Sequence, residues 1–450
     1  MNESEVKLIA TSKGVEHEAL GSEELTAYGA YGCFEQGTSY EVFKNHFKDN
    51  SEEEFREEVK EVLKQSAGRG HGAVADQNLF VFSIKNLSRA ATLHLCLPEY
   101  LMHLQQSMRR ATAERGYVLP EQIKESSFHE EVKETLDQAF ETYKELLEEE
   151  IPIEDARFLL PLYTRTNIQT AGNARELMHL YHMTKEEPVP TPVKKIVDEM
   201  IEKARKKAPG IFKDWGHNYE RLAWFPSAQL YTEENGTVNE ILEENNYPEE
   251  AEYIEKEMSE EAIDKAIKER DEAELSNLKH IHNGNKIQGF LAPMSIACYH
   301  QSTRQRTWNH SIESIYDAAE RGNIVIPPTV KESPHTDKFK EQHRQMIKLY
   351  KKLVNNGIPK EEAIGVIPHS VEMYDLIHVN GWNSIHSIGK RTCTKAQWEI
   401  RRIANKVAAE IRKRNPVLGK YTYPQGVIYG ECPEADPCGL CDKIIEKRKE

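Results

Sequence analysis

Three cysteines near the C-terminus, Cys432, Cys438 and Cys441, have the spacing of a metal-binding group. They lie in the segment GECPEADPCGLCDK, whose proline and glycine residues favour tight turns between the thiols. Thiolates at this spacing bind zinc or an iron–sulfur cluster, and a zinc site needs a fourth ligand such as Cys393 or a histidine. A tail with free thiols is the alternative, and the sequence leaves both interpretations open.

The composition limits the class of protein. At 450 residues, 38% of them hydrophobic, the chain is long enough for two or three domain cores. A formal net charge of −15 argues against binding to nucleic-acid duplexes, which requires a basic surface, but allows a small anion held by a few arginines. No apolar run approaches a membrane span, and the N-terminus lacks a signal-peptide core. Seven mostly scattered cysteines fit a reducing compartment, so we expect a cytoplasmic protein.

The chain contains a long internal repeat. Residues 150–183 return as residues 357–389, and five identities are separated by the same 207 positions. These pairs are Pro152 and Pro359, Ala156 and Ala363, Pro161 and Pro368, Asn173 and Asn380, and His179 and His386. A repeat of this length indicates a duplicated domain, because solenoid repeats are only about 20–50 residues long.

The repeat extends upstream. Residues 114–116 match 320–322 at an offset of 206, and residues 106–109 match 301–304 at an offset of 195. The change of offset predicts an insertion of 11 residues in the second copy. We expect a first domain at 1–225, an acidic helical linker or insertion at 226–287, a second domain at 288–431 and a cysteine-containing tail at 432–450.

Local patterns predict the elements that carry these motifs. Residues 79–86 alternate apolar and polar side chains, which predicts a strand. Residues 126–149 and 334–355 have the apolar spacing of long amphipathic helices, and a basic helix is expected around 193–208. Capping boxes that start at Ser51 and Thr394 predict two further helix N-termini.

With these blocks in place, the chain resembles the flavin-dependent thymidylate synthases, repeated twice. The first copy carries counterparts of the family's SRA, S-x-R, E-x-AR, LYTR and NAR motifs, at residues 88–90, 107–109, 154–157, 162–165 and 173–175. The second copy carries fewer of them, namely Ser302, Arg304, Glu362, Ala363, Asn380, Arg391 and the AQWEIR motif at 396–401. The resemblance covers about two thirds of the chain.

Both copies depart from the family pattern. The family's RHR motif, whose arginines meet flavin and substrate phosphates, is replaced by residues 97–99 (LPE) in the first copy and 292–294 (APM) in the second. The first copy has Thr184 where the second has Arg391, and the second has Glu372 where the first has Arg165. Neither copy alone has the full set of arginines.

The resemblance implies an α+β fold with mixed α/β elements. It consists of two tandem copies of a thymidylate-synthase-complementing-type domain, each a small twisted antiparallel sheet with long packed helices. Family members form tetramers with sites at subunit interfaces, so we expect a homodimer that forms a pseudo-tetramer. In that assembly one class of site would use Arg165 and Arg391, and the other class, lined by Glu372 and Thr184, would be dead.

The resemblance also implies two sets of ligand-binding residues. The flavin set is His71, Ser88, Arg89, Asn173 and Arg175. The set that binds the phosphate of a pyrimidine deoxynucleotide is Ser107, Arg109, Arg165, Ser302, Arg304 and Arg391, because forked cations and hydroxyl donors match phosphate oxygens. The alternatives are a surface ion pair for a single arginine and a solvent-facing loop residue for His71.

The implied activity is that of an FAD-dependent thymidylate synthase, a methyltransferase that carries a one-carbon unit to dUMP or a related pyrimidine nucleotide in dTMP biosynthesis. FAD is the expected cofactor, and NADPH and methylenetetrahydrofolate are the family's co-substrates. No catalytic residue is assigned. The alternative is a catalytically decayed duplicate that acts as a nucleotide-binding or structural protein.

Overall fold

The structure is a computed structural model of the 450-residue chain, and it describes residues 4–213, 225–284, 286–305, 307–435 and 437–449. The chain divides into two compact units. The first contains Met1–Ser126 and Tyr163–Pro226, and the second contains Ser127–Leu162 and Ser227–Glu450. In the described part of the chain, no helix combines the length and apolar character that crossing a membrane requires.

The first unit contains a four-stranded antiparallel sheet. Its strands are β1 (Glu5–Thr11), β2 (Phe80–Ser88), β3 (Met102–Gln105) and β4 (Arg165–Gly172), in the order β1-β2-β4-β3. Strand β2 alternates as its sequence predicts, and its side chains at Phe80, Phe82 and Ile84 are buried. The predicted strand is therefore confirmed.

Helices and short helical turns alternate with these strands. The helices of the first half are α1 (Ser22–Tyr31), α2 (Ser39–Asp49), α3 (Glu52–Gln65), α4 (Gly72–Ala75), α5 (Arg89–Leu95), α6 (Glu121–Lys124), α7 (His129–Glu148), α8 (Ile153–Ala156), α9 (Ala174–Glu186) and α10 (Thr191–Lys207). The 3₁₀ turns are Ala67–Arg69 and Arg157–Leu159. Helices α7 and α8 belong to the second unit, although they lie in the first copy of the sequence.

The second unit has a sheet with the same topology. Its strands are β5 (Glu252–Glu257), β6 (Ile281–Asn283), β7 (Lys286–Ser295), β8 (Asn309–Ile312) and β9 (Glu372–His378). The order is β5-β7-β9-β8, all antiparallel, and β6 pairs with β7. The order repeats that of the first sheet strand for strand, which is the result expected for a duplicated domain.

The helices of the second half include counterparts of α5 to α10, with an added helix between β8 and β9 and further helices after the counterpart of α10. They are α11 (Gly236–Glu244), α12 (Glu260–Asp264), α13 (Glu272–Leu278), α14 (Ile296–Ser302), α15 (Ile315–Arg321), α16 (Pro328–Lys331), α17 (Thr336–Asn355), α18 (Lys360–Ala363), α19 (Gly381–Arg391), α20 (Trp398–Arg414), α21 (Pro416–Gly419), α22 (Gln425–Tyr429) and α23 (Leu440–Lys449). A π-helical turn, Lys265–Glu269, follows α12, and a 3₁₀ turn, Ile364–Val366, follows α18.

Equivalent elements of the two copies begin 207 residues apart. This holds for α5 and α14, β3 and β8, α7 and α17, β4 and β9, and α9 and α19. Within the second unit, equivalent residues also meet each other. Pro161 forms a β-bridge with Pro368, and the Gln342 amide donates to the Thr135 carbonyl oxygen at 3.2 Å. Contacts between positions 207 apart indicate a local two-fold relation between residues 129–162 and 336–369.

The constant offset corrects two alignments made from the sequence. The insertion of 11 residues is wrong, because the offset is 207 on both sides of the block that was aligned at 195. Residues 106–109 follow strand β3, whereas residues 301–304 end helix α14, so the two blocks are not equivalent. Residues 292–294 are also not the counterpart of 97–99, because they lie inside β7 and pair with β9. The counterpart of residues 97–99 is residues 304–306, which read Arg-Gln-Arg.

The acidic segment between the copies differs from a solvated linker. Helix α11 and strand β5 bury Val238, Ile241 and Ile254 in a hydrophobic cluster with Leu291 of β7 and Leu376 of β9. The sequence pattern of this segment is polar overall, but its few apolar residues have the spacing of one helix face. Residues 227–284 are thus packed against the second sheet.

Candidate functional site

The turn from strand to helix after β2 and β7 is held by serine caps. Ser88 is 2% exposed, and its hydroxyl accepts the N–H of Ala91 at 3.1 Å. Arg89 is buried beside it, and its backbone N–H donates to the Thr164 carbonyl oxygen. Two residues of the predicted flavin set, Ser88 and Arg89, therefore stabilise this turn.

The same turn in the second copy is tied to the AQWEIR motif. The Ser295 backbone N–H and hydroxyl donate to the two oxygens of Glu399, at 2.7 and 2.6 Å. Glu399 has no exposed surface, and burial raises the pKa of its carboxyl to about 7. Glu399, which lies on helix α20, thus holds the start of helix α14.

Arg391 lies at the C-terminal end of α19 among polar groups of the loop after α14. One guanidinium N–H donates to the Gln301 carbonyl oxygen at 3.4 Å. When the Gln305 amide is oriented with its oxygen toward Arg391, that oxygen accepts from the Arg391 Nε and Nη2, at 3.1 and 2.6 Å. The amide nitrogen then donates to the Ser387 hydroxyl. The exposed Arg304 immediately precedes Gln305. Arg304 and Arg391, both predicted for the phosphate set, therefore flank one short loop.

Ser302, predicted for the same set, does not face this loop. Its side chain is fully buried, and its hydroxyl donates to the Tyr299 carbonyl oxygen at 3.0 Å. This hydroxyl holds the last turn of α14, so we leave Ser302 out of the proposed site.

The equivalent place in the first copy has no arginine. His94 and Thr184 occupy the positions of Gln301 and Arg391, and the His94 Nε2 lies 2.8 Å from the Thr184 hydroxyl oxygen. Both side chains are buried, and burial lowers the pKa of His94 to about 3. The pair is therefore uncharged at neutral pH and offers no cation to a phosphate.

Position 165 and its equivalent 372 show the opposite pattern. Arg165 begins β4 half-buried, and its Nε is buried with no hydrogen-bond partner in the described part of the chain. Burial alone lowers the pKa of Arg165, since no charged neighbour contributes. Nearby, Arg115 donates to the Asn86 side-chain oxygen at 3.4 Å. Among the described residues Arg165 has no counterion, and Arg115 directly precedes Gly116, whose carbonyl oxygen accepts the Arg165 backbone N–H.

In the second copy, carboxylates occupy this place. Glu372 pairs with Arg321 at 3.3 Å, and the same guanidinium pairs with Glu313 at 2.6 Å. Glu313 is 2% exposed, and burial raises the pKa of its carboxyl to about 7. Arg321 is therefore neutralised inside the protein, whereas Arg165 is not.

Ser107 and Arg109 lie in the loop after β3. The Ser107 hydroxyl accepts the Arg109 backbone N–H at 3.2 Å, so the two residues form a local turn. Ser107 is exposed and Arg109 is half-buried. Both belong to the first unit, as Arg165 does.

Two of the remaining flavin candidates, Asn173 and Arg175, contact Asp76. The Asn173 amide donates to one Asp76 oxygen at 3.0 Å, and Arg175 donates to the other at 3.1 Å. The Arg175 guanidinium also stacks on the Phe225 ring, 4.2 Å from its centre. His71 is exposed at the start of α4. Sequence reasoning missed Asp76 as the residue that organises this group.

The predicted metal residues Cys432, Cys438 and Cys441 are free cysteines in the tail. Within the described ranges, no three His, Cys, Asp or Glu side chains already have an arrangement that could hold a metal ion.

The sequence reading also missed Gln305 and the Arg-x-Arg pattern at 304–306. The signal was present in plain sequence, but the offset of 195 hid it. Arg306 lies outside the described residues.

Comparisons with known proteins agree with the duplicated architecture. The family model described as "Thymidylate synthase complementing protein" matches residues 16–210 and again residues 216–417. A flavin-dependent thymidylate synthase from Pyrococcus furiosus is 31% identical over 165 residues, which cover 34% of this chain and 68% of that protein. The corresponding enzyme from Thermococcus onnurineus is 32% identical over 170 residues, covering 35% and 69%.

A solved structure, the UMP/dUMP methylase PolB from Streptomyces cacaoi bound with 5-Br dUMP, is similar at 15% identity. The aligned part covers 48% of this chain and 95% of the PolB chain, with a TM-score of 0.37. The two family matches together span most of the 450 residues. The chain therefore belongs to the thymidylate synthase complementing protein family, with the family's domain present twice.

Proposed function

We propose that the chain binds the phosphate of a pyrimidine deoxynucleotide, with dUMP as the first candidate, and transfers a one-carbon unit to its ring with FAD, NADPH and methylenetetrahydrofolate. The observation that carries the proposal is the half-buried Arg165, whose Nε has no partner and whose charge has no counterion among the described residues. A partly buried cation without a counterion is costly unless a ligand supplies the negative charge.

The internal duplication supports an anion at this position. In the second copy, the equivalent residue is itself an anion, Glu372, and it pairs with Arg321. The first copy has Arg165 at this position, with Arg115 and Arg109 on the same unit. A phosphate would supply to these arginines the negative charge that Glu372 supplies to Arg321.

The second copy contributes a different set of cations. Arg304 and Arg391 flank the loop that contains Gln305, and Arg306 completes the Arg-x-Arg pattern in the sequence. The resemblance assigns such arginines to flavin and substrate phosphates. The Arg-x-Arg pattern at 304–306 is thus the second copy's candidate for the RHR motif, which the sequence alignment had placed at residues 292–294.

The flavin set fits less well than the phosphate set. Ser88, Arg89 and Asn173 have structural roles in caps and turns, and Arg175 already pairs with Asp76. The half-buried Arg175 and the exposed His71 remain the two flavin candidates. Binding of the flavin is therefore tested separately from binding of the nucleotide.

The test is a turnover assay with dUMP, FAD, NADPH and methylenetetrahydrofolate, in which dTMP is separated by chromatography and quantified. The proposal predicts dTMP that depends on all four additions and falls at least tenfold in Arg165→Ala. Arg56→Ala is the matched control, because Arg56 forms only an exposed pair with Glu52 on helix α3.

The second candidate function is a nucleotide-binding protein without turnover. The neutral pair His94–Thr184 favours it, because it shows that one copy has lost an arginine from this position. Saturable dUMP binding with no dTMP under any cofactor combination would support this candidate and contradict the enzymatic one.

A further inference from the structure

The C-terminal tail folds back onto the helix that carries Arg391. A side chain at Gly389 of α19 would lie 3.0 Å from the Tyr423 carbonyl oxygen and 3.5 Å from Gln425. This close approach requires glycine at position 389 and brings α22 alongside α19. Cys393 lies in the connection between α19 and α20.

Cys438 lies in a turn that favours a thiolate. Gly439 has φ +71°, a left-handed conformation that lets the chain reverse between Cys438 and Cys441. The Thr394 hydroxyl donates to the Cys438 sulfur at 3.3 Å, and the Leu440 backbone N–H also donates to it. Thr394 is the neighbour of Cys393, so the contact joins the two segments.

Cys441 and Cys432 meet on the other side of this turn. A side chain at Gly426 would lie 2.6 Å from the Cys441 sulfur and 3.1 Å from the Cys432 α-carbon. The thiols of Cys432, Cys438 and Cys393 all lie close enough to Cys441 to interact with its sulfur electrostatically.

Four converging thiols need a cation if they are to be deprotonated together. A divalent ion overcomes the repulsion between neighbouring thiolates, because it binds them and so favours the loss of the thiol protons. The four thiols do not yet form a coordinating group in the described structure, so binding would draw them inward. The N–H and O–H donors on Cys438 are of the kind that orient metal-bound thiolates.

We propose that Cys393, Cys432, Cys438 and Cys441 bind one zinc-class divalent ion with four thiolates. The site clamps the C-terminal tail to the connection between α19 and α20. It assigns the fourth ligand that the tail sequence alone leaves open, and it does not depend on the proposed nucleotide chemistry.

The first test is elemental analysis of the full, untagged chain. The proposal predicts about one zinc per chain in the wild type and in Cys33→Ser, an exposed cysteine elsewhere in the chain. Cys393→Ser and Cys438→Ser should each lose at least tenfold in zinc affinity, measured by competition with a chromogenic chelator. Iron with inorganic sulfide, or full zinc retention in Cys393→Ser, would overturn the four-thiolate site.

A second measurement keeps the test valid if a serine variant fails to fold. Wild-type protein is titrated with a thiol reagent before and after a strong chelator, with circular dichroism as the check on folding. The proposal predicts four additional reactive thiols after chelation. It also predicts that cobalt(II) added to the metal-free chain gives the absorption of tetrahedral thiolate coordination. Equal thiol counts before and after chelation would overturn it.

Discussion

Two pairs of equivalent residues set the charge of the candidate anion sites. Arg165 in the first copy corresponds to Glu372 in the second, and Thr184 in the first corresponds to Arg391 in the second. Glu372 is neutralised by Arg321, and Thr184 bonds to a neutral histidine. Each copy therefore has one arginine at these two positions.

The buried Glu399 predicts a pH dependence of stability. Burial raises the pKa of its carboxyl to about 7 in the folded chain, whereas an unfolded glutamate titrates near about 4.3. The protonated form is thus favoured by folding, so its contribution is full at low pH and is lost as the pH rises through about 7. We expect the free energy of unfolding, and with it the denaturation midpoint, to decrease between about pH 5 and pH 8. This group accounts for up to roughly 3 kcal/mol of the decrease in unfolding free energy.

Glu399→Gln should reduce this decrease in unfolding free energy, because the amide keeps an acceptor oxygen for Ser295 and does not ionise. Glu313, whose pKa is also raised to about 7, should preserve part of it. Glu341→Gln is the control, since Glu341 is exposed and contacts Arg344 and Gln345 on its own helix. A Glu399→Gln profile that is parallel to the wild type would show that Glu399 does not titrate in this range.

The flavin prediction concerns Arg175. We expect saturable FAD binding that is weaker than in the Pyrococcus furiosus relative, because most of the predicted contacts already have structural roles. Arg175→Ala should weaken it further, by roughly tenfold if a charge-assisted bond is lost, and Arg56→Ala should not. Equilibrium dialysis measures both, and an absence of saturation at high micromolar FAD would remove flavin from the proposed function.

At the scale of the element, periodicity in the sequence was a good guide. The helices predicted at 126–149 and 334–355 are α7 and α17, and Ser51 caps α3 with the predicted Glu54 contacts. The capping box at Thr394 differs, because α20 begins later and Gln397 accepts the N–H groups of Glu399 and Ile400. A glutamine side chain can reach its own helix start, which a search for Ser or Thr caps overlooks.

The register between the copies could not be read from short identities. The match of residues 106–109 with 301–304 shares three residue types, yet one block follows a strand and the other ends a helix. Only the pairing of β7 with β9 fixes residues 292–294 inside the sheet. Hydrogen-bond register is a long-range property, and a local motif search does not contain it.

The acidic segment gives a prediction for helix α11. Leu242 is 1% exposed in the cluster with β7 and β9, so Leu242→Ala should cost about 2–5 kcal/mol of unfolding free energy. Ile267→Ala, at a half-exposed position in the same segment, should cost much less. Denaturant titration compares the two, and equal small effects would indicate that the segment is a linker outside the core.

At the scale of the whole molecule, the duplication frees each copy to lose what the other keeps. The resemblance to a family of tetramers leads us to predict a homodimer, in which two tandem chains supply four domains. Sedimentation equilibrium of the full chain at micromolar concentration should give twice the chain mass of 51.8 kDa. A single species at the chain mass would contradict the pseudo-tetramer.

The central claim is that Arg165 binds the phosphate of a deoxynucleotide. Calorimetric titration with dUMP tests it on the wild type and on Arg165→Ala, with Arg56→Ala as control. We predict saturable binding to the wild type and a loss of affinity on the order of tenfold or more in Arg165→Ala, because a buried arginine–phosphate bond contributes roughly 1.5–3 kcal/mol. Arg56→Ala should bind dUMP as the wild type does. An unchanged dUMP affinity in Arg165→Ala would contradict the claim.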